Sequence, residues 1–239
     1  MAKFVTIGER LSTTAPAVNK AFTERDPEPI IKRAKQQLDA GATYLDVNIG
    51  PAENDGEDLM KWAVQLLQSE FDNVPLALDT TNQKAIEAGI SVYNRSKGKP
   101  IVNSADAGDR ISNIDLAAAN DAICIALCSS GMVASDNDER MMHCQNMLER
   151  GLGLGMEAED LWFDHATGPI PMIFGSTPPR APATHVAIGL TPSSLAFSSL
   201  ITTTAAAPSL IPEELPAVTK PPSFLNAGFN LPRVSTVVP

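Results

Sequence analysis

Basic residues are scarce in this chain: 18 Lys and Arg stand against 28 Asp and Glu over 239 residues, a formal net charge of −10. Nucleic-acid backbones and anionic membrane surfaces both require clustered cations, so neither is an expected partner. Long apolar runs are missing as well. No stretch reaches the roughly 18 apolar residues of a membrane span, and "MAKFVTIGER" lacks the long apolar core of a signal peptide, so a cytoplasmic location is expected. Cysteine is limited to Cys124, Cys128 and Cys144, an odd number without an export signal, which argues for reduced thiols rather than a disulfide framework. Cys124 and Cys128, four apart in one apolar run, read as sharing a strand face, but no second Cys/His pair has zinc spacing and no metal is expected.

What is present is a regular alternation. "KFVTIGER", "ATYLDVNIG", "VPLALDTT", "KPIVNSAD", "AICIALCS" and "LWFDH" read as short buried strands. Between the first two, Ile30, Ile31, Ala34 and Leu38 recur at helical spacing, with Gly41 where a helix-ending glycine belongs. Leu59, Trp62, Ala63, Leu66 and Leu67 mark a second amphipathic helix; "QKAIEAGISVYN", "IDLAAAND" and residues 136–150 supply further ones. The expected strand ends, Glu9, Asn48, Asp79, Asn103, Cys128 and Asp164, are spaced by 39, 31, 24, 25 and 36 residues, one βα unit each. An α/β fold of the (βα)8 TIM-barrel type follows, its strands buried on both faces. A doubly wound sheet would show the same alternation but usually carries a glycine-rich phosphate turn, whereas "IGERLSTT" has one glycine.

In such barrels the chemistry sits at the C-terminal strand ends, where the loops converge on one mouth. Glu9 and Arg10, Asp46 and Asn48, Asp79 and Asn82, Asn103 and Asp106, and Asp164 fall at or beside those ends. The plainer reading of any one of them is a helix cap, since Asp and Asn are preferred there. Asp79, Asn103 and Asp164 argue against it together, because each directly follows apolar strand residues. A carboxylate can accept two parallel N–H bonds from an amidine-like edge, and an Asn amide can donate and accept beside it. A planar heterocycle with several donors, pterin-like in its chemistry, is the ligand such a set would recognise.

Several ordered motifs carry a family resemblance. "GATYLDVNIGP" (41–51) resembles a pterin-binding signature at the second strand, and "LALDTTNQKAIEAGI", "PIVNSAD" and "LWFDH" resemble the third, fourth and sixth strand ends. With "IGER" at the first strand, residues 4–165 resemble the methyltetrahydrofolate:corrinoid-protein methyltransferases, relatives of the folate domain of cobalamin-dependent methionine synthase. The resemblance implies a pterin-binding barrel in which Asp79, Asn103 and Asp164 hold the pyrimidine edge of the pterin, with Asn48 and Glu9 nearby and Asp46 orienting its neighbours. It implies methyl transfer between N5 of tetrahydrofolate and the cobalt of a corrinoid carried by another protein, with methyltetrahydrofolate as substrate and a homodimer as the expected assembly. Dihydropteroate synthase resembles the chain in fold, but "GPAEND" departs from its strand-two loop.

The family places an Asn after strand seven to assist the leaving N5, in a "GLSN"-like context. Here the nearest echo is "IGLTPSS" (188–194), with Thr191 and Pro192 in its place, so no catalytic partner for N5 is assigned. Residues 166–239 hold 13 of the 19 prolines, 17 Ser or Thr and five of the 46 charged residues, and no charged amphipathic helix. Two segments are therefore expected: a pterin-binding barrel portion over 1–165, and an atypical Pro/Ser/Thr-rich tail over 166–239, either frame-shifted or disordered, which leaves the last third of the barrel incomplete. The alternatives to a methyltransferase are a dihydropteroate synthase-like pterin enzyme, a non-catalytic incomplete pterin-binding barrel, and an unrelated barrel enzyme such as a lyase.

Overall fold

Six strands pair in parallel and in chain order: β1 (Ile7–Ser12), β2 (Tyr44–Asn48), β3 (Leu76–Asp79), β4 (Ile101–Asp106), β5 (Ile123–Leu127) and, after a small antiparallel hairpin of β6 (Ser129–Ser130) and β7 (Met132–Val133), β8 (Leu161–Asp164). The computed structural model describes residues 5–165 and the backbone of residues 187–189. The helices are α1 (Pro16–Glu24), α2 (Pro27–Asp39), α3 (Gly56–Glu70), α4 (Gln83–Ser91), α5 (Ser112–Ala119) and α6 (Asn137–Gly153). Strand, helix and next parallel strand in unbroken succession is the (βα)8-barrel plan, of which five units and the sixth strand are described.

Local chemistry sets the helix ends. Proline opens α1 and α2, where a missing N–H costs nothing, and Asp26, Asn82 and Asp136 accept from backbone N–H groups in the first turns of α2, α4 and α6. Gly41, with φ +98°, lies just past α2 and turns the chain into β2, as its sequence position predicts.

Each strand has two faces with different partners. Leu45, Val47, Leu76, Leu78, Val102 and Phe163 point outward and join the helices in one large core. The alternate residues Ile7, Ala77, Ile101, Ile123, Ile125 and Trp162 form a second apolar cluster inside, with Tyr44 packed against it. The rings of Tyr44 on β2 and Trp162 on β8 meet edge to face at 5.8 Å although three strands separate them in the sheet. That contact requires the sheet to curl back on itself, and it fills the barrel interior with side chains.

The structure departs from the sequence expectation at several ends. β1 continues to Ser12 rather than stopping at Glu9, because an extra residue between Gly8 and Leu11 lets both pair with β2. β4 runs on to Asp106 through a register shift between Asn103 and Ala105, and the Asn103–Ser104 peptide is cis. Cys128 lies one residue beyond β5. Helix α1 had no counterpart in the periodicity reading, although Val18, Ala21 and Phe22 bury one face of it. β9 (Ala187–Gly189) adds to β8 antiparallel, unlike the six strands before it. Apart from that backbone segment, the tail assigned to 166–239, with Thr191 and Pro192, lies outside the described residues.

Gly89 shows how closely the outer layer is packed. A Cβ there would stand 2.6 Å from Met60 Cγ on α3 and 3.0 Å from Leu78 Cδ1 on β3. Gly89→Val is expected to cost about 1–3 kcal/mol through overpacking. A lowered denaturant midpoint with an unchanged slope would show it, and an unchanged midpoint would refute the packing argument.

Candidate functional site at the barrel mouth

Strand parity carries the interior face from apolar to polar within two residues. On β1 Ile7 is followed by Glu9, on β2 Tyr44 by Asp46 and Asn48, on β3 Ala77 by Asp79, on β4 Ile101 by Asn103, and on β8 Trp162 by Asp164. Glu9, Asn48, Asp79, Asn103 and Asp164 therefore lie on the inner face, with Asn48, Asp79 and Asp164 at the last residue of their strands and Glu9 and Asn103 within theirs. The register sharpens the placement: Asn48 pairs with Asp79, and Asp79 with Asn103, so these three form one row across adjacent strands. Asp164 comes from the far side of the described sheet, beyond β5, and is buried.

Two hydrogen bonds orient the row. Asn48 Nδ2 donates to Asp79 Oδ2 at 2.5 Å, while Asn48 Oδ1 accepts from the Gly50 N–H at 3.0 Å. Asn103 Nδ2 donates to Asp46 Oδ2 at 2.7 Å. This second bond spans from β4 to β2. It is possible because the residue opposite Asp46 on β3 is Ala77, whose methyl group leaves room above it. With its amino group committed to Asp46, the Asn103 amide has a fixed orientation and its oxygen is the acceptor side.

Electrostatics single out Asp46. Burial pushes its carboxyl well above the ordinary carboxylate range, the charges of Asp79 and Glu9 add to the rise, and the Asn103 hydrogen bond opposes it only in part. Three acids around one small space cannot all ionise cheaply, and Asp46, the most enclosed, is pressed toward its neutral form. A neutral Asp46 accepts from Asn103 with one oxygen and has an O–H to donate, so it can position groups without adding charge to the mouth.

Other polar residues at the strand ends serve the loops. Asp106 accepts from the Gly108 and Arg110 N–H groups and pairs with the Arg110 guanidinium at 2.9 Å. Burial would raise its carboxyl, but these bonds outweigh burial and hold it below its usual value. Asn82 caps α4 and donates to the Ala52 carbonyl, as the plainer cap reading has it. Arg10 is exposed, and its N–H donates to Gln37 Oε1 on α2. Sequence reasoning missed Thr80, which is buried directly after Asp79 and donates to the Gly50 carbonyl at 2.6 Å, tying the loops after β2 and β3 together. Gly50 has φ +67°, and a Cβ there would meet Thr13 Oγ1 at 2.8 Å, so both conformation and space exclude a side chain. Among the described residues no group of three or more His, Cys, Asp or Glu is placed to hold a metal ion, and no helix is long and apolar enough to cross a membrane.

The raised Asp46 carboxyl has a consequence for stability. Between the ordinary carboxylate pKa and the raised folded value, the folded chain holds a proton that the unfolded chain has lost, so this group's contribution to stability falls as pH rises. Asp46→Asn keeps an acceptor for Asn103 but does not titrate. Across a series of denaturation curves from pH 5 to pH 8, the variant is expected to gain on the parent protein as pH rises. Parallel stability profiles would refute the assignment.

Comparison with known proteins bears on the family and the fold. Residues 8–177 match the family described as pterin binding enzyme. A curated relative, the methylcorrinoid:tetrahydrofolate methyltransferase of Eubacterium limosum, is 35% identical over 100 residues, which is 42% of this chain and 35% of that protein. The match thus spans about a third of the relative's length. Among solved structures, a Yersinia pestis DHPS determined with a pterine-sulfa conjugate superposes with a TM-score of 0.51 at 19% identity, covering 70% of this chain and 60% of that one. The 7,8-dihydropteroate synthase of Vibrio fischeri ES114 gives 0.52 at 15% identity, covering 73% and 64%. These likenesses establish the fold as a pterin-binding TIM barrel. With more than half its length matched, the chain belongs to the pterin binding enzyme family.

Proposed function

We propose that this protein transfers a methyl group between N5 of tetrahydrofolate and the cobalt of a corrinoid carried by a partner protein. The observation that carries the binding half is the row Asn48, Asp79, Asn103 on the inner face, with Asp164 across from it. The methyl-transfer half is supported by the partial likeness to the Eubacterium limosum enzyme.

The residues suit the ligand chemically. The pyrimidine edge of a reduced pterin offers an N–H and an exocyclic amino group side by side, and carboxylates accept such paired donors with charge-assisted bonds. Asp79, steadied by Asn48, and Asp164 are the proposed acceptors. Asn103 meets the same ring through its amide oxygen, and Glu9 lies near by. The apolar cluster of Ile125 and Trp162 lies directly below this level and excludes water from beneath the ring, which strengthens the bonds above it.

The cobalt supplies the methyl-accepting or methyl-donating centre, and no protein nucleophile is required. The chain's own contribution is alignment: two acids fixed on different strands hold the ring at one depth and in one orientation, so N5 faces the partner's approach. No residue is assigned to stabilise N5 as it leaves.

Calorimetric titration with methyltetrahydrofolate tests the first half. Asp79→Asn and Asp164→Asn are each expected to weaken binding about 10- to 100-fold, the loss of one charge-assisted hydrogen bond at roughly 1.5–3 kcal/mol. Absent binding by the parent protein would sink the pterin reading. The second half is tested by mixing the protein with methyltetrahydrofolate and cob(I)alamin and following the visible spectrum. Growth of a methylcobalt spectrum is expected; binding without it would remove methyl transfer and leave the pterin site standing.

A further inference from the structure

Beside the mouth two sulfur atoms are in contact. Cys128, which follows β5, and Cys144, in the second turn of α6, have Sγ atoms 2.8 Å apart, and both residues are buried. The ring of His165 stands close by, its Nδ1 3.9 Å from Cys128 Sγ. We propose that Cys128 and Cys144 form a two-electron redox site, closed to an intramolecular disulfide by hydrogen peroxide and reopened by a dithiol.

The pairing is selective within the chain. All three thiols lie in the helix-facing core, but Cys124 Sγ is placed toward the Ile125 carbonyl at 3.6 Å, and burial pushes its thiol up to about 12, whereas Cys128 and Cys144 meet each other. The contact with Cys144 and burial push Cys128 up, and the same contact lowers Cys144; either sulfur can donate to the other across it. The first attack is assigned to Cys144. Enclosure of both sulfurs favours a small oxidant over a bulky disulfide such as oxidised glutathione.

The chemistry balances in two steps. The Cys144 sulfur attacks one peroxide oxygen, the O–O bond breaks, and the departing hydroxide takes the proton that the Cys144 thiol gives up and leaves as water, with a sulfenic acid on Cys144. The Cys128 sulfur then attacks the Cys144 sulfur, the S–O bond breaks, and the second hydroxide leaves as water with the Cys128 proton. The two sulfurs lose two electrons and the peroxide gains them. Burial keeps the neighbouring His165 below its usual value, so at neutral pH its ring is unprotonated and suited to relay that proton. The resulting bond would fasten the end of β5 to α6, beside the Cys128 N–H that donates to the Asp164 carbonyl at 2.7 Å.

The test uses the full chain carrying Cys124→Ser, reduced, desalted and treated with one equivalent of hydrogen peroxide. After alkylation, digestion with trypsin without reduction cuts at Arg110, Arg140 and Arg150, leaving Cys128 and Cys144 on the separate peptides 111–140 and 141–150. These are expected joined, with an intact mass lower by two hydrogens and reversal by dithiothreitol. Two separately alkylated peptides, sulfinic or sulfonic acid at either cysteine, or a link between two chains would overturn the proposal. Should Cys124→Ser fail to fold, fragmentation of the linked peptides from the parent protein locates the bridge, and a bridge through Cys124 counts against it.

Discussion

The hydrogen bond from Asn103 to Asp46 is possible only because the sheet is strongly curved and Ala77 is small. It joins the inner faces of β2 and β4 across the intervening strand, at the depth where the interior changes from apolar to polar. A larger residue at 77 would fill that space and separate the two side chains. Much of the mouth depends on the contact. It orients the Asn103 amide, engages one oxygen of the most buried acid, and holds β4 at the point where its register shifts.

Burying Asp46 beside Asp79 and Glu9 raises the cost of charging it, and the hydrogen bond from Asn103 offsets that cost in part. On the proposed reading, a ligand rich in N–H donors is what this cluster would meet. The outer core contributes differently: its apolar contacts hold the helices to the strands and thereby fix the strand ends from which the polar side chains project.

Much of this architecture was legible in the sequence because a buried parallel strand leaves a plain mark, an apolar run ended by a polar residue. "LALD", "YLDVN" and "LWFD" end in the structure at the residues where those runs break. The mark fails where the strand continues past a polar residue, as in β1 beyond Glu9 and β4 beyond Asn103, because bulges and register shifts belong to the pairing of two strands and not to either alone. Cys124 and Cys128 do face the same helix-packed core, but the sulfur contact of Cys128 was not legible for a related reason. β5 ends at Leu127, and Cys128 meets a helix residue sixteen positions away. Asp46 could be read as a neighbour of Asn48, but its bond to Asn103 could not, since that contact arises from curvature.

The strand ends around the mouth are braced in two ways. The row on β2, β3 and β4 is braced by side-chain bonds, Asn48 to Asp79 and Asn103 to Asp46. At the end of β8 the bracing includes the backbone: the Asp164 carbonyl accepts the Cys128 N–H, and the Leu127 backbone pairs in register with it. Backbone bracing fixes where a strand ends, and side-chain bracing fixes the rotamer of a group upon it. The two sides of the mouth are therefore set by different parts of the chain, and the backbone bond at Cys128 ties the level of the Asp164 strand end to the end of β5.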